Sequence, residues 1–377
     1  MMTIYIGLGM VFLSYSGYVL LCMIGWRRSK NEKDDRAEHV DLNPFSVIIP
    51  VRNEEENIDQ RILQLIQDID QVKGSELIIV NDESTDGTMD VLRKRNDHGS
   101  LRVLNVNDGK GKKAAIRTGV LAANNEIIIT TDGDVRSKDG WVNSVVEAFV
   151  QKDADMLLMP VLIKDGQDLL GEIQLMDQAI LTGMAIGSAQ MACPVWASGA
   201  ALAFRKSDFL ELEGFKGNEQ WSSGDDVFLL HKFKSAGKKI SVLNSSNALV
   251  VAEACGTWGQ LIEQRLRWGS KSIAYRDPLT VFVTMLGLLR WSALIFLFVL
   301  LQLSIVVPSA LWLLAIISIG ADLILARTVL HSEGLKLPLL AQLFVPVFYL
   351  FFGVFLMVAS VFYTPTWKGR KVLGQNQ

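Results

Sequence analysis

Acidic side chains gather directly behind short apolar runs in this chain. FSVIIPV leads into RNEEEN (52–57), ELIIV into NDESTDGT (81–88), and EIIIT into TDGDV (131–135). Each segment alone reads as a capped turn, because Asp, Asn, Ser and Gly favour turns and helix starts. Three of them behind successive apolar runs suggest a shared site. Asp132 and Asp134 flank Gly133, and a D-x-D turn presents two carboxylates to one hard divalent cation. Such a cation, Mg²⁺ or Mn²⁺, also bridges phosphate oxygens and neutralises a departing diphosphate.

Further along, DGKGKKAAIRTG (108–119) combines glycines with Lys110, Lys112 and Lys113. Lysines in such a turn contact phosphates, although the P-loop spacing is absent and Lys110 reads as a solvated turn residue. In SSGDDVFLLHKFKSAGKK (222–239), Asp225 and Asp226 open a helix. One of the pair is explained by favourable helix-start electrostatics, and the other is a candidate general base. Ser222, Ser223 and Gly224 are expected to cap that helix, with Asp225 taking its exposed amides and Asp226 turned toward the site. Finally, TWGQLIEQRLRWGSKSIAY (257–275) puts Trp258, Leu261, Ile262, Leu266 and Ile273 on one helical face, and Gln264, Arg267, Trp268 and Lys271 on the other. This predicts an interfacial helix lying apolar face down on a bilayer, with Arg265 an interfacial anchor. Trp196, in CPVWASGA just before an expected strand, is a candidate for shaping an acceptor site and equally a core aromatic.

The elements that position these residues follow from periodicity. FSVIIPV, ELIIVND, LRVLNV, EIIITTD and ADMLLMPV are β-rich apolar runs, separated by helical patterns at 55–69, 89–95, 112–123 and 141–150. This βαβα order predicts an α/β fold with a mostly parallel sheet covered by helices. Ligands of such sheets bind beyond the carboxyl ends of the strands, where the acidic segments fall.

Half of the 377 residues are apolar, more than an ordinary soluble domain carries, and the net charge of −3 gives no reason to expect nucleic-acid binding. The scattered Cys22, Cys193 and Cys255 fit neither a disulfide framework nor a zinc site and read as buried thiols. Apolar runs at 4–26, 279–307, 309–326 and 338–363 are long enough to cross a bilayer. Arg27, Arg28 and Lys30 follow the first at once, which puts its C-terminal end and the following domain in the cytoplasm. Three further crossings leave the C-terminus outside, in conflict with Lys368, Arg370 and Lys371. A cytoplasmic tail, with one run only partly crossing, is therefore expected. Arg290 marks the start of the second run as one candidate; Pro346 and Gly353 mark the last as another.

Together, NDES, D-x-D, GDD and Q-x-x-R-W resemble the membrane-anchored family 2 glycosyltransferases with the A-type nucleotide-sugar fold (GT-A, Rossmann-like), and most of all their ceramide glucosyltransferase and carotenoid glycosyltransferase branch. The resemblance covers roughly residues 45–275 and the flanking anchors. It implies a hexosyltransferase that moves one sugar, with inversion, from a nucleotide-diphospho-sugar such as a UDP-sugar to a lipid acceptor at the cytoplasmic face of the plasma or inner membrane, with Mg²⁺ or Mn²⁺ as cofactor. Pro50, Val51, Arg52, Asn53 and Glu54 would line the nucleotide pocket, Asp82 would bind the base, and Lys112 would lie near the nucleotide. Asp132 would contact the ribose or sugar side and Asp134 the metal. Asp226 matches the base, beside Asp225 in place of the usual Glu. Gln264, Arg267 and Trp268 match the motif that holds the diphosphate and the acceptor end. Asn81 stands where Asp is common.

The expected organisation is an anchor at 4–26, a linker at 27–44, the GT-A domain at 45–255, an interfacial helix at 257–276, membrane segments at 279–307, 309–326 and 338–363, and a basic tail at 364–377. A processive polysaccharide synthase would share every motif; it generally needs more spans for a polymer channel. A catalytically dead membrane scaffold would be expected to have lost acidic residues that are present here.

Overall fold

The computed structural model describes residues 2–32, 42–95, 98–164, 168–219, 221, 223–336, 339–362, 366–367 and 370–371. Half of the expected linker (33–41), Ser222 and most of the basic tail lie outside the described residues. The chain forms two compact units. One comprises Ser29–Leu162 and Pro194–Glu253 with the closing residues; the other comprises the chain up to Arg28, Ile163–Cys193, and the segment from Ala254 to Pro365.

The first unit is α/β. Its elements are β1 (Phe45–Val51), α2 (Ile58–Ile69), β2 (Glu76–Asn81), α3 (Thr88–Arg95), β3 (Leu101–Asn105), α4 (Lys112–Ala122), β4 (Ile127–Thr130), β5 (Val135–Ser137), α5 (Trp141–Gln151), β6 (Met156–Leu158), β7 (Val161–Ile163), β8 (Leu202–Arg205), α7 (Lys206–Glu211), α8 (Asp225–Ser235), β9 (Ile240–Val242) and β10 (Val250–Ala252). The chain begins with α1 (Met2–Asn31), and α6 (Leu169–Gln190) lies between β7 and β8.

A seven-stranded sheet runs β3-β2-β1-β4-β8-β6-β9. Strands β1 to β4 are parallel, and β8 lies antiparallel to both β4 and β6. A small sheet, β5-β10-β7, stands apart from it. β1, β2 and β4 are buried on both faces, which explains why they read as unbroken Val/Ile runs rather than alternating ones. ADMLLMPV, expected as one strand, divides into β6 and β7 on different sheets. Pro160 stands at the break, without an N–H for a ladder, while its carbonyl accepts from Val250 N. The first helix after β1 begins at Ile58 rather than residue 55, because the Glu54 carbonyl turns the chain by accepting from both Asn57 N and Ile58 N.

The polar face of α2 holds the segment behind β4. Arg61, Gln64 and Asp68, at helical spacings of three and four, reach across to it together. Arg61 donates to Thr131 Oγ1 and Ser137 Oγ, both at 2.9 Å, and Gln64 donates to the Ser137 carbonyl. Asp68 accepts from Gly140 N at 2.9 Å and Val142 N at 3.2 Å. Gly140 is left-handed (φ 76°) and its own side cannot cap α5, so the buried Asp68 supplies the acceptor.

The second unit holds α1 up to Arg28, α6, α9 (Trp258–Ser270), a 3₁₀ turn (Lys271–Ala274), α10 (Pro278–Gln302), α11 (Ser309–Ser332) and α12 (Leu339–Phe362). Helices α1, α10, α11 and α12 are each long and apolar enough to cross a membrane. α1 continues past the expected end of its apolar run, through Arg27, Arg28 and Lys30. Gly25 and Gly187 let α1 and α6 cross at backbone contact: a Cβ on either would lie 2.0 Å from a carbonyl oxygen of the other helix. Arg290, expected to mark a partial crossing, is fully buried in α10. It pairs with Asp322 of α11 at 2.8 Å and lies over the Tyr15 ring, so it does not interrupt the helix. The cysteines are not uniformly buried either: Cys22 is, but Cys193 is exposed in the turn after α6. The remaining two-residue strands, β11 (Thr366–Trp367) and β12 (Arg370–Lys371), pair antiparallel.

Asp68→Ala is expected to strand two backbone amides at the start of α5 and to lower stability by about 2 kcal/mol. Thermal unfolding of the detergent-solubilised protein measures this. An unchanged midpoint would show that water replaces the carboxylate at no cost.

Candidate functional site

The order of strands reverses between β1 and β4, with β2 and β3 on one side and β8 on the other. This is the switch point at which an open α/β sheet leaves a crevice beyond its carboxyl ends. The residues after β1, β2 and β4 arrive there in sequence order. β8 is antiparallel, so the residues before it arrive there instead: the Ala200 carbonyl accepts from Thr131 Oγ1 at 2.9 Å.

Pro50 and Val51 pair in register with Val80 and Asn81 at the ends of β1 and β2. Arg52 is buried, and its Nη1 donates to the carbonyls of Asp82 and Glu83, both at 2.6 Å. It therefore clamps two strand ends together. Asn53 (φ 53°) and Glu83 (φ 52°) adopt left-handed conformations that are uncommon for such residues. Their loops are tied by Asn53 N to Ser84 Oγ and Thr85 N to Asn53 Oδ1. Glu54 is buried, with its amide donating to Thr88 Oγ1 at 2.8 Å. Asp82 is 1 % exposed and accepts from Gly111 N at 3.0 Å. That bond fixes the turn ahead of α4, where Gly111 has φ 89°.

From that turn, Lys112 reaches into the acidic edge. Its Nζ lies 2.6 Å from Asp132 Oδ1 and 3.5 Å from Asp225 Oδ2. Burial alone would depress this ammonium's pKa, but Asp132 and Asp225 outweigh it and raise it well above the ordinary lysine value. A raised pKa means that its stabilising contribution is complete below the unfolded value of about 10.4 and is lost only as pH rises through the folded one. The ammonium is charged at any working pH. Its neighbours differ: Lys110 is solvated beside Glu83, and Lys113 is buried, donating to the Asn218 carbonyl beneath the Phe228 ring.

Asp132 is half-buried and Asp134 exposed, in a turn that leads into β5 rather than directly into a helix. Arg61 stands behind them. Burial lowers its pKa to about 10, against the opposing pull of Asp132 and Asp134. Sequence reasoning missed this cation because it lies mid-helix, far from any motif; its place on α2 in line with Gln64 and Asp68 was the available signal.

At α8, the two aspartates exchange the places expected of them. Gly224 (φ 84°) is the N-cap and has no side chain with which to cap the helix. Asp226 is the second residue of α8, not a full turn inside, and it is the one that meets amides: Oδ1 accepts from Val227 N at 2.7 Å and Oδ2 from Gly199 N at 3.2 Å. Asp225 is buried and faces Lys112. The physical reason is charge: a buried carboxylate is better compensated by an ammonium than by backbone amides, so the more buried Asp225 is the one that faces Lys112. Gly199 was also missed. A Cβ there would lie 2.5 Å from Asp225 Oδ2 and 3.1 Å from Lys112 Nζ. Trp196 is half-buried in the same loop.

Two carboxylates, Asp132 and Asp134, lie close in sequence at this edge, and no group of three or more His, Cys, Asp or Glu side chains that could hold a metal occurs among the described residues. This donor set fits Mg²⁺ or Mn²⁺ of the kind held by one or two carboxylates and completed by substrate phosphates.

Gln264, Arg267 and Trp268 belong to the other unit, half-buried on α9. The faces of α9 differ from those expected. Trp258 and Ile273 are exposed, while Leu261, Arg265 and Leu266, with Lys271 of the following 3₁₀ turn, are buried. Arg265 is not an interfacial anchor but pairs with Asp177 of α6.

Residues 127–330, more than half of the chain, match the model of glycosyl transferase family group 2, and residues 46–188 match glycosyl transferase family 2. The chain belongs to the family 2 glycosyltransferases. It is 24 % identical over 258 residues to the poly-beta-1,6-N-acetyl-D-glucosamine synthase of Staphylococcus aureus, covering 67 % of this chain and 60 % of that one. It is 29 % identical over 116 residues to the undecaprenyl-phosphate 4-deoxy-4-formamido-L-arabinose transferase of Aeromonas hydrophila, covering 30 % of this chain and 36 % of that one. The chain thus spans less than two thirds of these relatives' lengths. Its fold resembles a mannosyltransferase of Pyrobaculum calidifontis solved with GDP-Man and Mn²⁺, with a TM-score of 0.56 and 16 % identity over 94 % of this chain and 99 % of that one. The GT-A architecture expected from the sequence is the one observed.

Gly199→Ala is expected to push the Asp225 carboxylate off Lys112 and to cut sugar transfer about 10-fold or more, since small displacements at reacting groups are costly. The check is a steady-state transfer assay beside thermal unfolding. Wild-type turnover would show that the loop gives way without disturbing the ion pair.

Proposed function

We propose that this glycosyltransferase moves a single sugar from a nucleotide-diphospho-sugar, such as a UDP-sugar, to a lipid-associated acceptor at the cytoplasmic membrane face. The observation that carries the proposal is the convergence of Asp82, Asp132, Asp134, Asp225 and Asp226 on one sheet edge with Lys112 among them. In this reading Pro50 to Glu54 and Asp82 shape the nucleoside end, and Asp132 and Asp134 would hold Mg²⁺ or Mn²⁺. That ion, when bound, would neutralise the diphosphate. Lys112 adds a fixed positive charge beside it, and Gln264, Arg267 and Trp268 serve the diphosphate and acceptor end.

Asp226 is the general base. Its carboxylate is more accessible than that of Asp225, and amides on each oxygen orient it. The acceptor oxygen attacks the anomeric carbon while its proton passes to Asp226. The bond from that carbon to the diphosphate breaks with its electron pair leaving on the nucleoside diphosphate, and the configuration inverts. Preorganised charge on the leaving group is generally the largest contribution to such a step.

A lipid acceptor is supported by the four apolar helices and by the relative named for undecaprenyl phosphate. The likeness to a polysaccharide synthase favours a second reading, processive synthesis. Purified protein given a donor panel and membrane lipid extract, followed by mass spectrometry, separates the two. A lipid one sugar heavier supports the first, and a long polysaccharide as main product overturns it.

Transfer is expected to stop in excess chelator and in Asp134→Ala; full activity in either would refute the metal role. Asp226→Asn should bind donor normally by calorimetry yet lose transfer about 100-fold or more. Asp225→Asn should cost less, chiefly by removing one of the two carboxylates beside Lys112. The reverse ranking would move the base to Asp225.

A further inference from the structure

Arg265 lies inside the Q-x-x-R-W stretch but matches none of its named letters. It is 6 % exposed. One arm of its guanidinium, Nη2, pairs with Asp177 of α6, and the other, Nη1, donates to Gln264 Oε1 at 2.6 Å. The guanidinium carbon sits 4.3 Å from the centre of the Trp268 ring. A single buried cation thus touches the first and last residues of the motif, one along the chain and one a helical turn on. Burial opposes the charge, but Asp177 outweighs it and raises the guanidinium pKa.

The consequence for Gln264 is directional. Arginine offers donors only, so the amide must turn its oxygen to Arg265 and its NH₂ the opposite way. What Gln264 then offers to a ligand on its other side is a pair of N–H donors, which suit a phosphate oxygen. A free glutamine would present either end. Trp268 is held as well, because the guanidinium carbon lies over its ring and favours that rotamer. A bilayer anchor would show the opposite features: an exposed head and a stem along apolar surface.

We propose that Arg265, held by Asp177, is the positioning residue of the Q-x-x-R-W motif, fixing the Gln264 amide and the Trp268 indole so that the motif meets an anionic diphosphate with donors. This rests on the reading that the motif serves the diphosphate. Lysine cannot replace arginine here, since a point charge can satisfy Asp177 but not also reach Gln264 and lie over Trp268.

The test is a double-mutant cycle on the full chain in detergent, titrating UDP, and GDP beside it, with Mn²⁺ by calorimetry, with thermal unfolding in parallel. R265K is expected to melt near wild type and to weaken binding of whichever nucleotide binds by about 10-fold, as Q264A does. In the Q264A background, R265K should cost clearly less than in wild type, because the part of its effect that passes through Gln264 is already lost. A purely structural role would give the same loss in both backgrounds, and that result, or no loss in R265K, overturns the inference. Should R265K not fold, Q264E decides: it keeps oxygens for Arg265 but removes the outward donors, so it should fold and bind as poorly as Q264A. Wild-type binding by Q264E overturns the proposal. If Q264A and R267A both bind like wild type, the motif does not hold the diphosphate, and the prior reading falls with this one.

Discussion

The constraint on which the catalytic half depends is electrostatic: carboxylates crowded on one sheet edge must be compensated before any substrate arrives. Like charges held close in a partly buried edge disfavour each other's ionised forms. Lys112 answers this by sitting 2.6 Å from Asp132 and 3.5 Å from Asp225. Its position is demanding in turn. The Gly111 turn must be held by Asp82, α4 must start at Lys112, and β8 must run antiparallel so that a residue without a Cβ passes beside the pair. Each of these local features makes sense only as a means of bringing one ammonium between two carboxylates from distant parts of the chain.

A second cation completes the arrangement from below. Arg61 projects from α2 to Thr131 and Ser137, so the D-x-D turn hangs between an anchored residue on either side. Gln64 and Asp68 extend the same hold to the start of α5. Asp132 is engaged by Lys112 and Asp134 is exposed, so the turn is fastened through its flanking residues by a neighbouring helix. Buried arginine suits the task, since its planar fork reaches several acceptors at once.

Most of the sheet was legible in the sequence because β1, β2 and β4 are buried on both faces, leaving uninterrupted Val/Ile runs closed by turn residues. The acidic segments behind them were legible for a related reason: parallel strands bring all their carboxyl ends, and the motifs that follow them, to one edge of the sheet. What escaped notice were contacts made by residues that carry no motif. Arg61 and Gly199 act through tertiary neighbours, and nothing local distinguishes them from an ordinary helix cation or loop glycine. The exchange between Asp225 and Asp226 was hidden too, because adjacent residues at a helix start point in different directions, and only the placement of Lys112 decides which of them faces it. On α9 the periodicity was real but its meaning was inverted. Arg265 falls on the buried face with Leu261 and Leu266 because Asp177 waits there, and hydropathy alone cannot anticipate a buried partner.

The same reasoning applies to Arg290 and to membrane topology. A lone arginine midway along an apolar run is a reason to doubt a full crossing, since a charge at the bilayer centre is costly. Here its guanidinium meets Asp322 at 2.8 Å, donates to the Ser318 carbonyl at 3.1 Å and lies 4.3 Å from the Tyr15 ring centre. Those groups come from α1 and α11, so the cation binds three helices to one another and is not offered to lipid. Once compensated in this way, Arg290 no longer argues that α10 stops short, and its 25 residues exceed the length a crossing needs. With α10 counted, α1, α10, α11 and α12 make an even set, and an even set returns the chain to the side from which it set out. Arg27, Arg28 and Lys30 directly follow the apolar run of α1 and pull that end inward. The basic residues after α12 favour the inner side too, against an even set of crossings. If one helix yields to that pull, α12 is the weaker candidate for a straight crossing, because Pro346 interrupts its hydrogen bonding where α10 carries no such break.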